Sequence, residues 1–203
     1  MSWRTRATAH RIGDDVPHDG GVMTRAMMQA RIVDPEQLIP HLFEEYRPGF
    51  MARVKPGDFI VAGRNFGCGK PHTNGYIALQ ALGIRVLCES APAGVARATM
   101  NLGLACLHRC EGVGQVVNDG DDIEVDFETG LLVNHTTGER RSYPALGAQE
   151  RALIGQGGQQ GFLRHFLHEH PELGEPWPGQ APGATDAEKT GSRTIPIVQV
   201  NAP

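Results

Sequence analysis

The sequence predicts an α/β fold, a mixed parallel and antiparallel sheet flanked by helices, and three observations carry this. Short apolar runs alternate with helical patterns between Asp58 and Leu107, and their brief connections imply crossover units and a partly parallel sheet. After Asp121 the pattern changes: alternating residues on either side of Glu128-Thr129-Gly130 read as an antiparallel hairpin. With 40% hydrophobic and 21% charged residues over 203 positions, the chain can build one substantial core with an irregular tail.

The elements follow in order. Residues 5–13 read as a first strand, closed by Gly13 and the acidic turn Asp14-Asp15. Residues 17–33, with His18, Asp19, Gly20-Gly21 and three methionines, fit either a helix or a loop. Methionines 23, 27 and 28 are read as packing, although a flexible apolar lining would suit a substrate with a hydrophobic tail. Asp34 as N-cap with Pro35 at the first position opens a helix expected through Leu38, Ile39, Leu42 and Phe43, and Pro48 ends the region. Phe59 to Ala62 is a buried strand, residues 74–82 a helix stopped by Gly83, and Ile84 to Cys88 the next strand. Pro92 to Leu102 is a helix stopped by Gly103, and Leu104 to Leu107 a short strand. Ala148 to His170 divides into a short helix, a glycine turn and a second helix from Phe162 to His168. From Pro171 the chain is rich in Pro and Gly and is expected to be extended or disordered, with Ile195 to Val200 a candidate edge strand. The division is thus a domain over 1–170 and a tail over 171–203.

Composition excludes several classes. A net charge of −4 gives no global basic field for nucleic acid. No apolar run is long enough to span a bilayer, and Arg4 and Arg6 are followed by no apolar segment, so no secretory signal is expected. Four scattered cysteines form no disulfide framework and no C-x-x-C pair, which suits a reduced, cytoplasmic protein. Cys106, His108 and Cys110 lack a second pair for a structural metal site, so no metal is expected on this chain. His108, His135, His165, His168 and His170 share no ligand spacing and are read as surface residues.

The most chemical segment runs from Gly57 to Asn74. A buried strand enters a glycine-rich turn, Arg64-Asn65-Phe66-Gly67-Cys68-Gly69, and then a helical pattern, which brings backbone N–H groups close to a small anion. Arg64 is suited to pair with a carboxylate, and Gly67 and Gly69 admit close approach of a ligand. The bland alternative is a tight strand-to-helix link.

Here the chain resembles the small subunit, or swivelling domain, of the aconitase and isopropylmalate dehydratase family. That domain carries Gly-Asp-x-Ile-Val-Ala-Gly-x-Asn-Phe-Gly-Cys-Gly followed by Ser-Ser-Arg-Glu-His-Ala, and Gly57 to Gly69 match the first part almost letter for letter. Gly13 to Asp19 resemble the family's Asp-x-Val-x-Thr-Asp signature. Glu89-Ser90, Asn101 to Leu104, Asp121 to Asp126 and Asn134 to Gly138 extend the likeness, which covers about residues 7–170. The resemblance implies a small subunit that adds or removes water on a carboxylic acid. A [4Fe-4S] cluster on a separate large subunit would act as Lewis acid, and the small domain would supply a serine base and a carboxylate-gripping arginine.

The match stops where the family's catalytic groups begin. The two serines fall on Lys70 and Pro71, the arginine on His72, the glutamate on Thr73 and the histidine on Asn74. Three readings follow: a lyase subunit using Lys70 or His72 as its catalytic group, a non-catalytic carboxylate-binding or regulatory module, or a rebuilt loop with catalysis supplied from elsewhere. The first is favoured, because polar groups are exchanged here rather than lost. Asp19 and Arg25 fall on substrate-contacting positions, and Arg64, Asn65, Gly67, Gly69, Thr73 and Asn74 complete the expected substrate-binding set. For Asp19 the bland reading is a turn cap, for Asn74 a helix N-cap, and for Lys70 a solvated charge.

Overall fold

The computed structural model describes residues 2–70 and 72–173. Among the described residues seven strands form one sheet: β1 (Arg4–Arg11), β2 (Phe59–Ala62), β3 (Arg85–Cys88), β4 (Cys106–Leu107), β5 (Asp122–Asp126), β6 (Leu131–Asn134) and β7 (Arg140–Ser142). Their order is β4-β3-β2-β1-β5-β6-β7. Strands β1 to β4 pair in parallel and β5 to β7 antiparallel, so β1 joins the two halves. The helices are α1 (Arg25–Gln29), α2 (Pro35–Leu38), α3 (Asn74–Ala81), α4 (Ala93–Leu102), α5 (Val113–Val116), α6 (Ala148–Gly155) and α7 (Gly158–Glu169). A compact unit comprises Met1–Leu163, and Arg164–Pro203 belongs to a second. The expected edge strand at Ile195 to Val200, and the tail from residue 174, lie outside the described residues.

Successive side chains of a strand point to opposite faces, and both faces of the parallel half are covered. Ile60, Ala62, Val86 and Cys88 pack with Leu38, Tyr76 and Leu79 on one side. Phe59, Val61 and Leu87 pack with Val113, Ile123, Leu132 and Ile154 on the other. That is why β2 reads as four consecutive buried residues, whereas β5 alternates.

Two expectations need correction and one strand is added. The helix expected from Asp34 through Phe43 stops at Leu38, and one 3-10 turn, Ile39–His41, follows. Pro40 has no N–H to continue the α-helical ladder, and Phe43 turns the chain with φ 57. Strand β7 went unrecognised because all three of its residues are exposed and carry no alternation. The last helix begins at Gly158 rather than Phe162. Gly158 is buried against the Asn101 carbonyl and the Gly103 amide, so a close backbone crossing requires the glycine there.

The pairing of β1 with β2 continues past the strand ends. Ala9 lies opposite Phe59 and Arg11 opposite Val61. Beyond them Ile12 N–H donates to Val61 O, Gly63 N–H to Gly13 O, Asp15 N–H to Arg64 O, Gly67 N–H to Val16 O and His18 N–H to Cys68 O. Two loops distant in sequence are thereby laid side by side, beyond the carboxyl ends of two parallel strands.

Candidate active site at the ends of two parallel strands

The laddered loops place their side chains in pairs. Asp14 accepts from the Arg64 backbone at 2.8 Å and from its guanidinium Nη2 at 2.8 Å. Those bonds, the backbone one first, hold the Asp14 carboxyl below its usual range. Asn65 sits in the left-handed region with φ 57, donates from Nδ2 to Asp15 at 2.8 Å, and donates from its backbone N–H to Ser90 Oγ at 2.9 Å. Gly67 has φ 74, and a Cβ there would strike the Tyr76 hydroxyl, so conformation and space both demand glycine. Gly69 has φ 97 with open space around it.

One step further, Asp19 meets two histidines. His18 Nδ1 lies 2.9 Å from Asp19 Oδ1. His72 Nδ1 lies 2.8 and 2.9 Å from the two Asp19 oxygens. His18 is fully buried, and its Nε2 accepts from the Gly75 N–H in the first turn of α3, at 3.2 Å. An amide can only donate, so the proton of neutral His18 must sit on Nδ1, aimed at Asp19. Burial lowers the His18 pKa against the upward pull of Asp19. Burial would raise the Asp19 carboxyl, but the bonds from His18 and His72 outweigh it and the net shift is downward. The aspartate is therefore an anion between two imidazole N–H donors.

His18, Asp19 and His72 also bring three possible ligand atoms within 4.8 Å of one another. His18 cannot ligate a metal through Nδ1 while Nε2 accepts the Gly75 amide, because that would require an imidazolate. The tautomer makes the trio a hydrogen-bond relay. Among the described residues this is the sole such group, so Cys106, His108 and Cys110 do not converge. Cys106 and Cys110 are buried, and burial pushes both thiols up. His108 is half-buried rather than on the surface: its Nε2 lies 3.3 Å from Thr99 Oγ1, and burial lowers its pKa.

The remaining sequence-derived positions separate clearly. Lys70 is exposed at the turn, beside His72. Thr73 is the N-cap of α3 but makes no side-chain cap bond. Asn74 is not the N-cap; it is the first helical residue, buried, and its Nδ2 donates to Ile32 O across to the segment before α2. Arg25 is held by Glu45, at 2.9 Å between the side chains. A small cavity of about 80 Å³ opens between Gly67, Lys70, His72, Tyr76, Val95 and Ala98. The Tyr76 hydroxyl, on a residue only 1% exposed, has no hydrogen-bond partner among the described residues. Sequence reasoning missed His18 and Tyr76 as site residues. The available signal was topological: parallel neighbours place their following loops together, and each of these loops carries a histidine.

A scan against family models finds no match. The 3-isopropylmalate dehydratase small subunit 1 of Archaeoglobus fulgidus is 36% identical over 157 residues, covering 77% of this chain and 94% of the relative. This chain belongs to the 3-isopropylmalate dehydratase small-subunit family. The small subunit from Nitratidesulfovibrio vulgaris is 34% identical over 165 residues, 81% of this chain and 96% of the relative. The isopropylmalate/citramalate isomerase small subunit of Methanocaldococcus jannaschii is 33% identical over 160 residues, 78% of this chain and 93% of the relative. A solved 3-isopropylmalate dehydratase structure from Methanocaldococcus jannaschii superposes with a TM-score of 0.73 at 27% identity, covering 84% of this chain and 99% of that one. The seven-stranded mixed sheet is thus the swivelling-domain fold that the resemblance implied. The relatives support a hydro-lyase small subunit over a free-standing binding module, and a small subunit of this family implies a larger iron–sulfur partner. Among the described residues, no helix is long and apolar enough to cross a membrane.

Proposed function

We propose that this chain is the small subunit of a cytoplasmic hydro-lyase, forming a heterodimer or heterotetramer with a large subunit that holds a [4Fe-4S] cluster. Its substrate is a small hydroxy acid or the corresponding unsaturated acid, bound where the two subunits meet. The observation that carries this reading is the convergence of Asp19, on the loop after β1, with Lys70 and His72 on the loop after β2, which the resemblance marks as the family's catalytic loop. The donor chemistry suits a cluster on the partner, since Cys106 and Cys110 are buried and held as thiols. When bound, the cluster supplies the Lewis acid that draws off the substrate hydroxyl.

Within this reading the substrate carboxylate falls to Lys70 and to the backbone of Gly69, with Thr73 at the start of α3, while Gly67, whose N–H is engaged by Val16 O, shapes the turn. Arg25 and Arg64 already carry carboxylate partners in Glu45 and Asp14, and Asn65 and Asn74 brace their loops. They shape the pocket rather than grip the substrate. Asp19 acts through the histidines it holds.

The test is anaerobic co-assembly with an iron–sulfur large subunit of the family, followed by hydration of a panel of unsaturated acids. Complex formation with turnover on at least one acid is expected; absence of both overturns the reading. Lys70→Ala should raise KM by about ten- to a hundredfold, as loss of one charge-assisted hydrogen bond predicts, and Lys70→Arg should restore part of it.

A further inference from the structure

We infer that His72, oriented by Asp19 and keyed through buried His18, is the proton-transferring group of this subunit, standing where the family's loop presents its serine and arginine. The inference rests on the hydro-lyase reading and names the group that performs it.

Three features select His72 over its neighbours. Both Asp19 oxygens lie within hydrogen-bond distance of His72 Nδ1, which fixes the proton on that nitrogen and leaves the Nε2 lone pair as the reactive face. His72 Nε2 has no hydrogen-bond partner among the described residues, and His72 lines the small cavity together with Tyr76. Among the described residues, no side chain orients the ammonium of Lys70, on the same loop. The Tyr76 hydroxyl is buried and burial raises its pKa, so it keeps its proton and offers a hydrogen bond to a substrate oxygen instead of accepting a proton.

His18 makes the arrangement directional. Its ring centroid lies 6.2 Å from that of His72 and 4.9 Å from that of Tyr76. The α3 amide of Gly75 fixes the His18 tautomer, His18 then donates to Asp19, and Asp19 accepts from His72. Asp19 and His18 are positioning residues, and His72 is the catalytic one. The groups facing His72 are Asp19, His18 and Lys70, so one anion, one oriented neutral ring and one cation set its environment.

In dehydration, Nε2 takes the proton from the carbon beside the substrate carboxylate, and the C–H pair becomes the C=C bond. The hydroxyl leaves the neighbouring carbon with the C–O pair. The proton released from the imidazolium and the departed hydroxide together make the one water formed. Hydration returns the proton from the imidazolium to the same carbon.

The experiment compares His72→Gln, His72→Ala and Asp19→Asn in the co-assembled enzyme, with assembly verified by size exclusion. Both His72 variants should lower kcat by about 10²- to 10⁴-fold. They should also abolish exchange of the substrate's carbon-bound proton with deuterated solvent, and added imidazole should partly rescue His72→Ala. Asp19→Asn should lower kcat and alter the shape of the pH–rate profile. Activity within a few-fold of the parent in assembled His72→Gln, or retained proton exchange, overturns the assignment while leaving the hydro-lyase reading intact. A parent complex that turns over no acid overturns that reading instead. In that event nitrogen-15 imidazole spectra of the free chain decide the dyad: protons on Nδ1 of both His18 and His72, lost from His72 in Asp19→Asn, support it, and an Nε2 proton on His72 overturns it.

Discussion

His18 is the residue whose chemistry depends most on being inside. Its ordinary pKa of 6.5 is lowered in the fold because burial disfavours the imidazolium, although Asp19 pulls the other way. The unfolded chain therefore binds a proton here in a pH range where the folded chain does not. The stability tied to this residue is complete above the ordinary value and declines as pH falls through it toward the depressed folded value. Asp19, also lowered, adds a loss of the same sign at lower pH. Denaturant midpoints measured between about pH 8 and about pH 5 should fall for the parent and fall less for His18→Thr. An equal fall in both would mean that His18 is protonated in the folded state and that its tautomer is not fixed. Gly75 guards this contact, since a Cβ there would lie 2.7 Å from Val22 and 3.2 Å from His18 Nε2.

At the scale of elements, caps and glycines set where helices begin and end. Asp34 Oδ1 accepts the Glu36 amide at 3.1 Å, so Asp34→Ala should lower stability by about 1 kcal/mol, read from thermal melts. Gly103 closes α4 with φ 78, and a Cβ there would sit 2.8 Å from the Gly157 carbonyl carbon. Gly103→Ala should therefore cost more than the cap, about 1–3 kcal/mol for the left-handed strain alone. Apolar runs bounded by glycines were legible in the sequence: β2 falls on Phe59–Ala62 as expected, and α3, β3 and α4 agree within a residue or two at each end. Pro40 shortening α2 was also written in the sequence, but the apolar spacing of Leu38, Leu42 and Phe43 masked it. Leu38 ends the helix, and Leu42 and Phe43 pack on the core from the turn after it instead of from a helix face. Strand β7 was not legible, because its place comes from pairing with β6 and no side chain of it is buried. The glycine turn was legible as a feature. The partners of Arg64, Arg25 and Asn74 were not, since each lies 20 to 50 residues away in the chain.

For the whole molecule, one sheet serves two cores. Leu79 lies in the core on one face and Ile123 in the core on the other, and both are fully buried. Because β1 belongs to the parallel and the antiparallel half alike, the two cores should melt together. Leu79→Ala and Ile123→Ala are each expected to cost about 2–5 kcal/mol, with near- and far-ultraviolet dichroism sharing one midpoint in either variant. Separate midpoints would show that the halves unfold independently. The ladder that runs from Ala9 and Phe59 on to His18 and Cys68 has a further meaning for how such a site changes over time. Adding or deleting one residue in either loop would move every later rung, pull Asp14 from Arg64, and carry His72 out of reach of Asp19. New chemistry on this frame is thus open to exchange of one side chain for another, and closed to changes in loop length. Lys70 and His72, which the resemblance sets against the family's serine and arginine, would be exchanges of that permitted kind on a loop whose backbone is fixed by its neighbour.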